Sequence, residues 1–215
     1  MIKLKNKNDL NICILGSTGI TDTAIKSLIK KKFVPKLVLT NVKDNYNSDW
    51  VDFKKNYKNL NCHSLKPNNE NKIKNYLKKY KINLLFCIGW SHVLSKKIKN
   101  IPNLIIIGHH PSELPLNRGK HPLIWSIFLG LKYTASSFFV MDYGIDTGKI
   151  IDQKRINIKK NSSVLHLYKS VQKAVSLQIV KISNDIRNNS PNKLYIRKQK
   201  KISKISNYWR KRHQE

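Results

Sequence analysis

A chain of 215 residues with 40% apolar content is long enough for one domain with a sizeable buried core. Its 42 Lys/Arg against 12 Asp/Glu give a formal charge of +30, which suits an anionic partner such as nucleic acid or a phosphate-bearing substrate. The excess runs along the whole chain, however, as a merely solvated lysine-rich surface would. No apolar run approaches bilayer length, and the basic start MIKLKNKNDLNICILG lacks the long apolar core and cleavage site of a secretory signal. The expectation is a cytoplasmic protein without membrane contact.

In chain order, NICILG reads as a short buried strand, followed by a Gly-Ser-Thr-Gly turn into an amphipathic helix marked by Ile20, Ala24, Leu28 and Ile29. PKLVLTN is a second strand, and NNENKIKNYLKKYK a helix with Ile73, Tyr76, Leu77 and Tyr80 on one face. INLLFCIG, the helical SKKIKNI and NLIIIG continue the alternation, so the fold class is α/β: a Rossmann-like, mostly parallel sheet with helices on both faces. HPLIWSIFLGL predicts a helix from Pro122 to about Gly130. TASSFFVMD and KIIDQKRINI pair around the turn YGIDTG, and a long amphipathic helix capped by Ser162 or Ser163 follows. Residues 1–190 form the expected catalytic domain. Beyond the linker NNSPNK, residues 191–215 form a basic tail, without an acid from Lys193 to Arg212.

Cys13, Cys62 and Cys87 are odd in number, lack Cys-x-x-Cys spacing and lie partly in apolar runs, so they read as structural thiols. No metal is expected. Chemistry is expected beyond the carboxyl ends of the strands, where GSTG, GWSH and GHHPSELP converge with DYGIDTG. Ser17, Thr18 and Gly19 could cradle a phosphate at a helix N-terminus, although the P-loop lysine is missing. Trp90 walls a flat heterocycle or belongs to the core. The strongest pairing sets a histidine of the His109-His110 pair against Asp146: an imidazole takes a proton, and a carboxylate fixes its tautomer and stabilises its charge. Neighbouring strand residues point to opposite faces, so only one of the two histidines can serve the site.

His110-Pro111-Ser112, Leu114-Pro115, Arg118-Gly119, Pro122, Trp125, Thr134 and Asp146-Thr147-Gly148 follow one another in an order that resembles the formyltransferases that use 10-formyltetrahydrofolate. The likeness implies that His110 and Asp146 are catalytic. It implies folate contacts from Ser112, Glu113, Leu114 and Pro115, and a pterin pocket of Ile88, Gly89, Trp90, Met141, Asp142, Tyr143 and Gly144. Arg118 joins Ser17, Thr18 and Gly19 as a candidate for acceptor binding. One departure stands out: many members have Asn two residues before the catalytic His, and this chain has Gly108. Asn117, His121 and the Gly-His backbone are then the candidate donors to the formyl oxygen. The cosubstrate expected is 10-formyltetrahydrofolate. The favoured acceptor is the amine of a nucleotide-linked amino sugar, with tRNA second, because the chain lacks the C-terminal β-barrel of methionyl-tRNA enzymes. A homodimer is a further expectation. The rival of another class is a non-catalytic nucleic-acid-binding relative using the basic tail.

Overall fold

The computed structural model describes residues 10–43, 48–66, 69–188 and 197–199. In chain order these form β1 (Ile12–Leu15), α1 (Gly19–Lys30), β2 (Leu37–Asn41), α2 (Phe53–Asn56), β3 (Cys62–Leu65), α3 (Glu70–Lys79) and β4 (Leu84–Cys87). Then come α4 (Lys96–Lys99), β5 (Ile105–His110), α5 (Pro122–Phe128), β6 (Tyr133–Val140), β7 (Ile150–Asn157) and α6 (Val164–Arg187). The strands make one 7-stranded sheet in the order β3-β2-β1-β4-β5-β6-β7. β3 to β5 across the sheet are parallel, and β6 and β7 add antiparallel pairings.

Period-two alternation splits the core in two. Ile12, Ile14, Leu84, Phe86 and Ile107 face α1, α5 and α6, while Cys13, Leu15, Leu85, Cys87 and Ile106 face α3 and α4. Each strand at the centre is therefore apolar on both sides, which is why the sequence shows continuous apolar runs there. β3 and α2 were not expected from the sequence. β3 is an edge strand with three of its four residues only half-buried, and α2 is a single turn, so neither leaves an apolar run or a helical period.

Local signals set the helix ends. The Ser163 hydroxyl, not that of Ser162, caps α6 by accepting from the His166 amide at 3.1 Å, and Asn69 caps α3 in the same way. α5 starts with Pro122 at its first position and stops at Phe128, with Gly130 at φ +61° closing the turn. Of the segment assigned to the basic tail, residues 197–199 lie on the domain: Arg197 pairs with Ile150 in an antiparallel bridge. The rest of that segment lies outside the described residues.

The β1–α1 corner is sealed from within. The Gly19 amide donates to Asp49 Oδ1 at 3.1 Å and the Ile20 amide to the Tyr168 hydroxyl at 2.9 Å, and that hydroxyl donates to Asp49 Oδ2. A carboxylate thus occupies the positive end of α1. Burial first, then Asp49, raises the pKa of Tyr168, so the hydroxyl stays protonated and keeps donating. Tyr168→Phe should remove the acceptor of the Ile20 amide and a donor to Asp49, and cost about 1–3 kcal/mol. A urea titration checks this; an unchanged midpoint would mean that water replaces the hydroxyl at no cost.

Candidate active site

β5 outruns its parallel neighbour. β4 ends at Cys87, opposite Gly108, while β5 continues through His109 and His110, paired only with Phe138 and Ser137 of β6. Alternation sends the two rings to opposite faces. His109 turns toward α6: its Nε2 lies 2.9 Å from Ser136 Oγ, and the Ser136 carbonyl accepts from Gln178 Nε2 at 3.2 Å. Its ring packs 4.9 Å from Phe138. Burial, with His110 as the lesser cause, pushes the His109 pKa down to about 3, so the ring is neutral at pH 7.

His110 turns to the α3–α4 face and is 6% exposed. Its Nε2 lies 2.8 Å from the Asn117 carbonyl. A carbonyl only accepts, so Nε2 carries the proton and a neutral ring keeps its lone pair on Nδ1. That nitrogen faces Asp146 Oδ2 at 3.6 Å, too far for a good hydrogen bond and within ion-pair distance only when the ring is charged. A second proton arriving at Nδ1 would find a carboxylate beside it, so the ring has an oxygen acceptor on each side when charged. The arrangement is that of a proton acceptor with its counter-charge in place.

Asp146 is held from several directions. It adopts a left-handed φ of +52°, and its Oδ2 accepts from the Gly119 amide at 3.1 Å. Gln199 Nε2 donates to the Asp146 and Gly148 carbonyls, both at 2.8 Å, while Gln199 Oε1 accepts from Arg118 Nη2 at 2.5 Å. Sequence reasoning missed Gln199 because no local pattern marks a tail glutamine that folds back on a loop. Asn117 at φ +51° and His121 at φ +55° are left-handed as well. Asn and Asp tolerate this region better than other side chains, and Asn117 and Asp146 both contact His110.

The other predicted residues divide between this cleft and the packing around it. Ser112 is buried, its Oγ donating to the Leu116 carbonyl at 2.7 Å and its carbonyl accepting from Ser137 Oγ at 2.6 Å. Glu113 pairs with Arg155 at 2.5 Å, and Leu114, joined to Pro115 by a cis peptide, packs with Phe139 and Ile150. Ile88 is core. Gly89 has φ +64°, and a Cβ there would lie 2.0 Å from Thr18 Oγ1, so no other residue fits. Met141 donates its amide to the Ile106 carbonyl, and Asp142 folds an Asx turn onto Gly144 and Thr147. Tyr143 is exposed and donates to Asn100 Oδ1 at 2.6 Å. Asn117 is buried, while His121 is exposed at the head of α5. Ser17, Thr18 and Gly19 lie at the corner closed by Asp49 and Tyr168, with Ser17 itself buried.

Trp90 Nε1 and Arg118 Nε are buried donors without a hydrogen-bond partner among the described residues. Unmet buried donors are costly and call for an acceptor, from water or from a ligand. The three cysteines are free, and burial raises all three thiol pKa values, Cys62 to about 11 and Cys87 to about 12. Among the described residues no group of three or more His, Cys, Asp or Glu could hold a metal ion, and no helix is long and apolar enough to cross a membrane.

A 7-stranded α/β sheet of this kind has known counterparts. The formyl transferase family model matches residues 12–182. The chain belongs to that family. It is 31% identical over 136 residues to a methionyl-tRNA formyltransferase of Prochlorococcus marinus (strain MIT 9515), covering 62% of this chain and 42% of that relative. It is 30% identical over 167 residues to the bifunctional polymyxin resistance protein ArnA of Wigglesworthia glossinidia brevipalpis, covering 75% of this chain and 25% of that relative. The chain spans about two fifths of the length of the first curated relatives, 42%, 36% and 38%. Among solved structures, an N-formyltransferase from Helicobacter canadensis, in complex with folinic acid and dTDP-3-aminofucose, superposes with a TM-score of 0.71 at 22% identity, covering 94% of this chain and 71% of that one. A phosphoribosylglycinamide formyltransferase from Anaplasma phagocytophilum gives 0.72 at 19% identity, covering 85% and 88%. These likenesses show the fold.

Gly108 lies beneath the site. A Cβ there would come within 2.7 Å of Phe139 Cζ and 3.1 Å of Met141 Cγ, so the cross-strand phenylalanine fills the space an asparagine would need. Gly108→Asn should therefore destabilise by about 1–3 kcal/mol through overpacking. Combined with Phe139→Ala it should cost less than the two single changes together, read from urea unfolding of the four proteins. Strict additivity would contradict the steric account.

The depressed pKa of His109 carries a pH dependence. Unfolded His109 takes up a proton near pH 6.5, whereas the folded ring resists until about 3. The unfolded state thus binds the extra proton in that window, and stability is present above pH 6.5 and falls as pH drops through it. The fall in urea midpoint between pH 7.5 and pH 5 should shrink in His109→Gln; an equal fall in both proteins would place the titrating group elsewhere.

Proposed function

We propose that residues 1–190, with the basic tail 191–215, are the catalytic part of an N-formyltransferase. It moves the formyl group of 10-formyltetrahydrofolate to a primary amine, that of a nucleotide-linked amino sugar, in the cytoplasm. The observation that carries this reading is the His110–Asp146 pair: a lone pair on Nδ1, a carbonyl holding Nε2–H, and a carboxylate 3.6 Å from Nδ1. The folate supplies an activated formyl carbon. A bond forms from the acceptor nitrogen to that carbon, the bond to N10 breaks, one proton leaves the amine and one is delivered to N10. His110 Nδ1 takes the amine proton, and Asp146 orients and stabilises the charged ring. The orphaned Trp90 Nε1 and Arg118 Nε fit a ligand rich in ring nitrogens, carbonyls and carboxylates. Asn117 and His121 are the donors proposed for the formyl oxygen, in place of the asparagine that Gly108 excludes.

The sugar reading draws support from the Helicobacter canadensis neighbour, described with an aminosugar nucleotide and aligned over most of this chain. Methionyl-tRNA is the second reading, favoured by the 31% identity to an enzyme of that name. Purified protein incubated with 10-formyltetrahydrofolate and a panel of nucleotide-linked amino sugars and charged initiator tRNA separates the two. Tetrahydrofolate release with a sugar gaining one formyl group is expected. His110→Ala and Asp146→Ala should each lower kcat by about 100-fold or more while the circular dichroism stays native. Formylation of tRNA alone would establish the second reading, and no turnover with any acceptor would contradict both.

A further inference from the structure

Two adjoining grooves mark the α3–α4 surface. One is lined by Lys66, Asn69, Glu70, Asn71 and Lys97, the other by Lys74, Lys78, Lys96, Lys97 and Asn100, so Lys97 joins them. The only acid in the lining is Glu70, and its Oε1 already accepts from the Ser95 amide at 2.7 Å. Lys66, Lys74, Lys78 and Lys97 form no ion pair among the described residues. Lys74 and Lys78 stand one turn apart on α3, a spacing at which like charges repel and weaken a helix. An anion between them and α4 would relieve that repulsion.

The groove begins where the proposed folate pocket ends. α4 covers the same face of the sheet that His110 points to. Tyr143, on the loop assigned to the pterin pocket, donates to Asn100 Oδ1 at 2.6 Å, and Lys96 Nζ sits 5.7 Å from the centre of the Tyr143 ring. Lys99, half-buried in α4, interacts with both Asp142 of that loop and Glu70 of the groove. A continuous track therefore runs from Tyr143 along α4 to Lys97 and Lys66.

A tetrahydrofolate ends, remote from its pterin, in a glutamate that can be extended by γ-linked glutamates, each adding one carboxylate. We propose that the lysine-lined groove between α3 and α4 binds the polyglutamyl tail of the formyl-folate cosubstrate. The assignment rests on the folate reading of the site. Lysines are point charges on flexible stems, suited to a flexible run of single carboxylates. The lining offers neither arginine nor an aromatic ring, which a nucleic acid would use for bidentate phosphate contacts and base stacking.

Binding of 5-formyltetrahydrofolate, which does not react, tests this with one and with five glutamates. At low salt the pentaglutamate should bind about 10-fold or more tightly than the monoglutamate, and the gain should shrink as salt screens the contacts. The triple variant Lys74→Ser/Lys78→Ser/Lys97→Ser should abolish the gain and leave the monoglutamate Kd unchanged. Equal affinity of the two folates for the native protein would overturn the groove. Equal affinity together with an RNA affinity lost in the triple variant would assign it to nucleic acid instead. Binding of neither folate would overturn the folate reading beneath it.

Discussion

The site depends on an overhang of two residues. Where β4 stops at Cys87, β5 runs on through His109 and His110 against β6 alone, and the strand's alternation permits only one of the two rings to face the cleft. His109 serves the interior, held by Ser136 and kept neutral by burial. His110 emerges on the other face, where the Asn117 carbonyl sets its tautomer. Asp146, Gly119, Arg118 and Gln199 are arranged around that single ring. A shift of one residue in the β5–β6 register would exchange the two histidines and dismantle the cluster.

A second constraint concerns the crevice between β1 and β4, where the chain order reverses and ligands of open α/β sheets commonly bind. Here that crevice is closed: the Ser17 amide donates to the Gly89 carbonyl, Thr21 Oγ1 donates to the Ile88 carbonyl, and the head of α1 holds Asp49 and Tyr168. An acceptor carrying phosphate would meet a carboxylate already in place at Gly19. Lysines instead line the α3–α4 face, and Arg118 reaches the Asp146 loop through Gln199.

The central architecture was legible in the sequence because strands buried on both faces leave unbroken apolar runs, and helices of α1, α3 and α6 length leave a period. β3 escaped because an edge strand half in solvent has no such run, and α2 because a single turn has no period. His110 and Asp146 could be singled out from their residue types and from the ordered resemblance around them, yet neither shows that Nδ1 is the nitrogen beside the carboxylate. That depends on a carbonyl seven residues on, in a turn of left-handed residues. Gln199 was illegible for a related reason: its role comes from where the chain returns in space. The Gly108 departure was visible, but its cause, the Phe139 ring across the ladder, needed the register of β6.

The most direct test of the central claim is a crystal structure of the protein with unreactive 5-formyltetrahydrofolate. The account predicts the pterin against Trp90 and the 141–144 loop, an acceptor atom on Trp90 Nε1, and the formyl end within hydrogen-bond reach of the His110–Asp146 pair, directly or through one water. A folate bound elsewhere, or seated with its formyl end away from His110, would contradict it.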